Sequence, residues 1–272
     1  MYQYSLTNTV LNIWNDTIWF VSFFYPIFAK TVEIVSLQRY NLYRGDIMEK
    51  IAIYHGSTNI IEKPSLSQGR RNNDYGPGFY CTYNLEMAKE WACKQNSDGF
   101  VNEYEIDTSY LKVLDLLDGK HTVLNWIALL LNNRIFPIND ELGSVAKQFI
   151  LDNYLIDVSN YDIVCGYRAD DSYFSYAQSF VHNGMPVRSL TDALKLGGLG
   201  TQFVLVSEKA FTRIKFVRSI KVNRNEYYPK FINRDLSART SYKENIKNAK
   251  ALKDDVFIID IMRGEGFNDP RL

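Results

Sequence analysis

Along the chain, apolar positions recur at spacings that separate strands from helices. Ile51-Ala52-Ile53-Tyr54 is a short apolar run ending at a histidine, a glycine and a hydroxyl, so a strand is expected at 51–55. A second strand is expected at 78–82, straight after a Gly-Pro-Gly loop. Leu85, Ala88, Trp91, Ala92 and Gln95 then fall on one helical face, which predicts a helix capped by Asn84 and running to about residue 96. Strands are expected at 100–106 and 111–115, and helices at 121–131 and 140–154, the first apolar enough to be buried. Beyond them the pattern predicts a strand at 162–166 and helices at 173–182 and 189–196. Strands follow at 202–206 and 215–221, then a polar helix near 234–250 and a last apolar strand at 256–262. Short strands with helices between them at irregular intervals indicate a mixed α+β fold, not a doubly wound parallel sheet.

The first 47 residues do not share this organisation. Residues 18–29 form an apolar, aromatic run too short to span a bilayer, with neither a basic start nor a small-residue cleavage site. Arg44-Gly45-Asp46 can be encoded by AGA-GGU-GAU, which resembles a bacterial ribosome-binding sequence one codon before Met48. Residues 1–47 are therefore expected to be an extension outside the fold, with translation starting at Met48 and one domain filling 48–272. A hydrophobic N-terminal anchor is the competing reading.

Composition narrows the class. With 272 residues, 46% hydrophobic and 14% aromatic, the chain can bury a large core. The formal net charge is +0, so the whole molecule does not favour nucleic acid or an anionic membrane. The charge is uneven, however: residues 95–175 hold 5 Lys/Arg against 13 Asp/Glu, and residues 213–253 hold 12 against 3. The basic stretch reads either as a solvated helix face or as a polyanion surface. Cys81, Cys93 and Cys165 are too scattered for a disulfide framework or a CxxC site, which fits a reducing cytoplasm. His55, His121 and His182 stand alone, so no zinc spacing exists; no metal is expected. Gly197-Gly198-Leu199-Gly200 lacks the Lys-Ser/Thr of a phosphate loop. His121 and His182 read as surface or helix-end residues, whereas His55 ends a strand before Gly-Ser.

Tyr54-His55-Gly56-Ser57 followed by Gly76-Pro77-Gly78-Phe79-Tyr80-Cys81-Thr82 resembles the H-G-S and G-x-G-I-Y-F-A motifs of poly(ADP-ribose) polymerase catalytic domains and their diphtheria-toxin-like relatives. Trp91 stands where those sites carry an aromatic, eleven positions after Tyr80. From about Met48 to the Asp260-Ile261-Met262 stretch, the chain is similar to a bacterial family of uncharacterised domains grouped with the ADP-ribosyltransferase-like folds. The resemblance implies a split mixed β-sheet core with flanking helices and an NAD pocket, NAD being the substrate.

Carried over by motif, His55 would hydrogen-bond the adenosine ribose, and the Gly56 backbone and Ser57 hydroxyl would hold the nicotinamide carboxamide. Tyr80 would stack on the nicotinamide ring and Trp91 would close its other face; ordinary core packing is the alternative for both. The late-strand glutamate of such sites falls at Gln202, a departure that replaces a carboxylate by an amide. Asp170 and Asp171, at a strand end, could supply that charge or position an acceptor, or simply cap the next helix. Arg70 and Arg71 could meet the pyrophosphate or be exposed loop charges. Asn102-Glu103-Tyr104 resembles the polymerase N-E-Y motif but comes too early, and is read as solvent-facing strand. The implied activity is a mono-ADP-ribosyltransferase acting on a macromolecular acceptor, protein rather than nucleic acid. It would be a toxin or regulatory modifier with an antitoxin or regulatory partner. An inert NAD- or ADP-ribose-binding module is the other class, for which Gln202 argues.

Overall fold

The computed structural model describes residues 50–264, apart from 136, 170, 197–199 and 249–253. All of them belong to one compact unit that begins at Lys50. The expectations for residues 1–47 lie outside the described residues.

The fold is mixed α+β and has two sheets. Strands β1 (Lys50–Ser57), β3 (Gly99–Asp107) and β7 (Ile214–Val222) form an antiparallel sheet in the order β1-β3-β7. Strands β2 (Phe79–Cys81), β4 (Val113–Asp115), β5 (Ile163–Tyr167) and β6 (Thr201–Leu205) form the other, ordered β2-β6-β5-β4. Its β4–β5 pair is parallel and the rest antiparallel.

The sheets meet at a single antiparallel bridge, where Tyr54 and Thr82 exchange two main-chain hydrogen bonds of 2.9 Å. Past that point β1 and β2 part. The residues that open the gap are His55, Gly56 and Ser57 on one side and Tyr80 on the other.

Each sheet has its own core. Helix α2 (Val123–Asn133) is as apolar as its sequence demands: Leu124 and Trp126 to Leu131 are all buried. They pack among Leu114, Val164 and Val204 of the four-stranded sheet and among helices α3 (Glu141–Tyr154), α4 (Asp171–Val181) and α5 (Val187–Leu196). A smaller cluster joins Ala88 and Ala92 of α1 (Leu85–Ala92) to Val101 of β3, Val222 of β7 and Tyr227 of α7 (Arg224–Asn248). Helix starts are capped as the side chains require, Asn84 accepting from Met87 N at 3.1 Å and Asp140 from Gly143 N at 2.6 Å, each cap worth about 1 kcal/mol.

Four local expectations need correction. Helix α1 stops at Ala92 rather than near 96, because β3 crosses its end: a Cβ on Gly99 would lie 2.1 Å from Ala92 O. The polar helix begins ten residues early, at Arg224, and carries Pro229 inside it, a residue that reads as a breaker. The apolar run at the C-terminal end is a helix, α8 (Ile258–Met262), with α6 (Glu208–Phe211) a short turn before β7. Ile258 and Ile261 are its buried pair, a helical spacing, and Asp260 accepts from Phe257 N at 2.9 Å. Asn102 and Tyr104 are not solvent-facing: both are 0% exposed. Asn102 bonds Ile61 N and Asn59 O at 2.9 and 3.1 Å, holding the chain after β1, while Glu103 alone points outward, to Arg218.

Part of the charge asymmetry is met within the chain, at its surface. Basic residues of the late stretch meet acids of the middle: Arg213 with Asp107, Arg218 with Glu103 and Lys221 with Asp98. No helix among the described residues is long and apolar enough to cross a membrane.

Candidate functional site

A cavity of about 550 Å³ opens where β1 and β2 part, and its lining includes His55, Gly56, Ser57, Tyr80, Trp91 and Gln202. These six positions come from β1, β2, α1 and β6, up to 147 residues apart in sequence (202 − 55), and the fold gathers them on one void.

His55 spans the gap between the strands. Its Nδ1 lies 2.7 Å from the carbonyl oxygen of Tyr80; a carbonyl only accepts, so Nδ1 carries the proton and Nε2 is left as an acceptor. The ring stacks on Phe79 at 4.4 Å. Burial pushes the imidazole below its usual pKa, partly opposed by the Tyr80 carbonyl, and favours the neutral form.

Gly56 is fixed by packing. A Cβ there would sit 2.2 Å from Ala88 O and 2.7 Å from Ala92 N, so only glycine lets α1 lie against β1. In an antiparallel ladder, alternate residues turn their N–H and C=O to the same edge. Tyr54 turns its pair to Thr82, so Gly56 turns its own to the same edge beyond the bridge, where the strands have separated. Ser57 Oγ accepts from Asn59 N at 3.1 Å and shapes the turn out of the strand.

Tyr80 staples its own loop. Its hydroxyl donates to Gly76 O at 2.6 Å and accepts from Tyr75 N at 3.0 Å, and burial raises its pKa far above the ordinary range. Tyr75 in turn donates to Tyr167 O at 2.6 Å and accepts from Trp126 Nε1 at 3.0 Å, which ties the loop to the main core.

The Trp91 ring has the Arg168 guanidinium 4.7 Å from its centroid. Its indole Nε1 is buried and finds no hydrogen-bond partner. Gln202 is 7% exposed, and its Oε1 is likewise buried without a partner. Buried polar atoms are nearly always satisfied, so this orphan donor and orphan acceptor, covered atoms on two cavity-lining residues, are exceptions that call for a partner.

The other expected residues fare differently. Arg70 lines the cavity and Arg71, exposed, does not. Asp170 lies outside the described residues, and Asp171 opens α4. His121 precedes α2, and His182, just past α4, pairs with Asp140; neither lines the cavity.

The wall also carries charges that residue patterning did not single out. Asp74, 3% exposed, accepts from Arg134 Nη1 at 2.7 Å and from Ala169 N at 3.0 Å; burial outweighs both and holds its carboxyl above the usual range. Glu90, 4% exposed, is gripped by Arg234. Each would pass for a solvated charge in a loop or on a helix. The one legible hint was position: Asp74 opens the Gly-Pro-Gly loop, and Glu90 is next to Trp91.

A two-sheet α+β domain split around a polar cavity is the class these features define. Residues 51–216 match the family model described as a protein of unknown function, DUF3990, and the chain belongs to that family. No curated protein and no solved structure matches.

Proposed function

We propose that the cavity binds NAD and that the protein transfers ADP-ribose from it to a macromolecular acceptor, releasing nicotinamide. The observation that carries this reading is the meeting of His55, Tyr80, Trp91 and Gln202 on one void, two of them with buried polar atoms lacking partners. A dinucleotide has the complementary groups. A ribose hydroxyl can donate to the free Nε2 of His55, and another to Gln202 Oε1. The outward-turned backbone of Gly56 suits a carboxamide, which needs one donor and one acceptor. Four cationic side chains, Arg70, Lys94, Arg134 and Arg168, stand in the wall against two carboxylates, Asp74 and Glu90, a balance that favours a pyrophosphate.

In the reaction the glycosidic bond between ribose C1′ and the pyridinium nitrogen breaks, and its electron pair leaves with neutral nicotinamide. The acceptor's nucleophile then bonds to C1′ and gives up its proton. Positive charge develops on the ribose, and Gln202 can meet it only with an amide dipole, so turnover should be slow. The acceptor is read as protein, since the chain has no net positive charge and some basic residues of the late stretch already pair with its own acids.

Gln202 also favours the second reading, a module that binds NAD or an ADP-ribosyl group without chemistry. Incubating labelled NAD with cell lysate and the full chain distinguishes them. Covalent label lost in His55→Ala supports transfer. Binding without transfer or hydrolysis supports the module. Calorimetry showing no NAD binding at all rejects both.

A further inference from the structure

The cations on the cavity wall are not alike. Arg134 donates to Asp74, and Arg234 holds Glu90, so both carboxylates of the lining already have an arginine. Arg168, whose main-chain N–H donates to Gly200 O at 3.2 Å, belongs to the Gln202 side of the cavity and lies over the Trp91 ring. Arg70 and Lys94 differ from these. Both are exposed, and among the described residues neither side chain has a hydrogen-bond or ion-pair partner.

Two independent sets of contacts put this pair at the end of the cavity away from Gln202. Arg70 is placed by β6. Gln202 is near the start of that strand, and Leu205, three residues on (205 − 202), is about 10 Å away at strand spacing. A Cβ on Gly78 would lie 2.8 Å from Leu205 O, and one on Gly69, beside Arg70, would lie 2.5 Å from Gly78 N. Lys94 is placed by α1. Met87, in the first half of that helix, packs against Gly200, two residues before Gln202. Ala92, at its end, packs against Gly99, beside the Ser57–Phe100 pair where β1 finishes, and Lys94 follows two residues later.

His55 stands toward the same end, its ring on Phe79, which pairs with Leu205. In the NAD reading Gln202 meets the nicotinamide ribose and His55 the adenosine ribose, so the two unmatched cations fall on the adenosine side. A phosphate monoester there would carry about −1.5 to −2 charge at neutral pH and present three acceptor oxygens. A guanidinium and an ammonium are suited to that charge.

We propose that Arg70 and Lys94 form a phosphate subsite at this end of the cavity, taking the monoester on the adenosine ribose of NADP, so that the phosphorylated dinucleotide is preferred to NAD. The proposal rests on the NAD reading for the direction in which the dinucleotide lies.

Calorimetric titration of the full-length chain with NADP and with NAD tests it. NADP should bind about tenfold more tightly at low salt, the factor that about 1.4 kcal/mol supplies. The advantage should shrink as added salt screens two exposed cations. The double variant Arg70→Gln, Lys94→Gln should bring the two affinities together. Its thermal unfolding should match the wild type, because both side chains are exposed and unpartnered among the described residues; the single changes take its place if it unfolds early. Equal affinities in the wild type, or an NADP advantage that survives the substitutions, overturns the phosphate subsite and leaves the NAD reading standing. Binding of neither dinucleotide ends both.

Discussion

The imidazole Nδ1 of His55 lies 2.7 Å from the main-chain oxygen of Tyr80, so one hydrogen bond spans the gap beyond the main-chain bridge at Tyr54 and Thr82 that joins the two sheets. This bond sets the tautomer, and through it the direction of the acceptor at Nε2. The two rings that the NAD reading needs are thereby coupled before any ligand arrives.

A consequence concerns acid. The His55 pKa is depressed in the folded chain because burial disfavours the cation. Below about pH 6.5 the unfolded chain takes up a proton here that the folded chain resists, so the unfolded state binds more protons. Stability from this position therefore falls as pH falls through that window and is constant above it. In urea titrations, wild type should lose stability relative to His55→Gln as pH is lowered from about 7.5 to about 5.5. A constant gap between the two would mean that His55 titrates as an ordinary surface histidine.

Gly56→Ala tests the contact between β1 and α1. The added carbon would meet Ala88 O at 2.2 Å, backbone against backbone, and neither strand nor helix can yield without the other. Overpacking of this kind costs about 1–3 kcal/mol. Denaturant unfolding should show that loss, and NAD affinity should drop with it, because Trp91 rides on the displaced helix. Full stability in the variant would show that α1 packs on β1 more loosely.

What the chain reveals before folding is its local chemistry. A strand running into His55-Gly56-Ser57, and a Gly-Pro-Gly loop delivering Tyr80, are short-range patterns, so the residues that open the cavity can be read directly. The reading of Gln202 came from the resemblance, whose late-strand glutamate falls at this position. Charges were the harder part. Asp74 and Glu90 look solvated in sequence because nothing local announces Arg134, 60 residues away, or Arg234, 144 away. Asn102 and Tyr104 were misread for the same reason: the chain that buries them, around Ile61, has no periodicity of its own. The run at 256–262 failed differently, since a short apolar segment rich in isoleucine satisfies both the strand and helix patterns until a partner chooses.

Gln202 should show a trade between stability and binding. Its Oε1 is buried with no partner, so the folded protein carries a desolvation cost there with no return until a donor arrives. Gln202→Leu removes that cost at similar volume and should raise thermal stability by the equivalent of about 1 kcal/mol. The same change should weaken NAD binding at least about tenfold, the worth of one lost hydrogen bond of about 1.4 kcal/mol. Gln202→Glu should leave binding in place and raise nicotinamide release, if the protein is a transferase, because a carboxylate meets the ribose cation better than an amide. Stability lost in Gln202→Leu would show that the amide already has a partner.

Tyr80 has two jobs that two substitutions can separate. Its hydroxyl bridges Gly76 O and Tyr75 N, tying down the loop, while its ring packs on the main core at the cavity lining, where the NAD reading sets it against the nicotinamide. Tyr80→Phe keeps the ring and strips the bridge, leaving the Tyr75 N–H without its acceptor, which costs about 1–3 kcal/mol. Hydrogen exchange should then rise at Tyr75 and Gly76, with NAD affinity changed only a few-fold. Tyr80→Ala loses the ring as well, and with it stacking worth about 0.5–1.5 kcal/mol beyond area. Affinity should fall further than in Tyr80→Phe by about a factor of ten, since a 1.4 kcal/mol difference is tenfold. If both variants lower affinity equally, the ring does not touch the ligand and Tyr80 serves only to hold its loop.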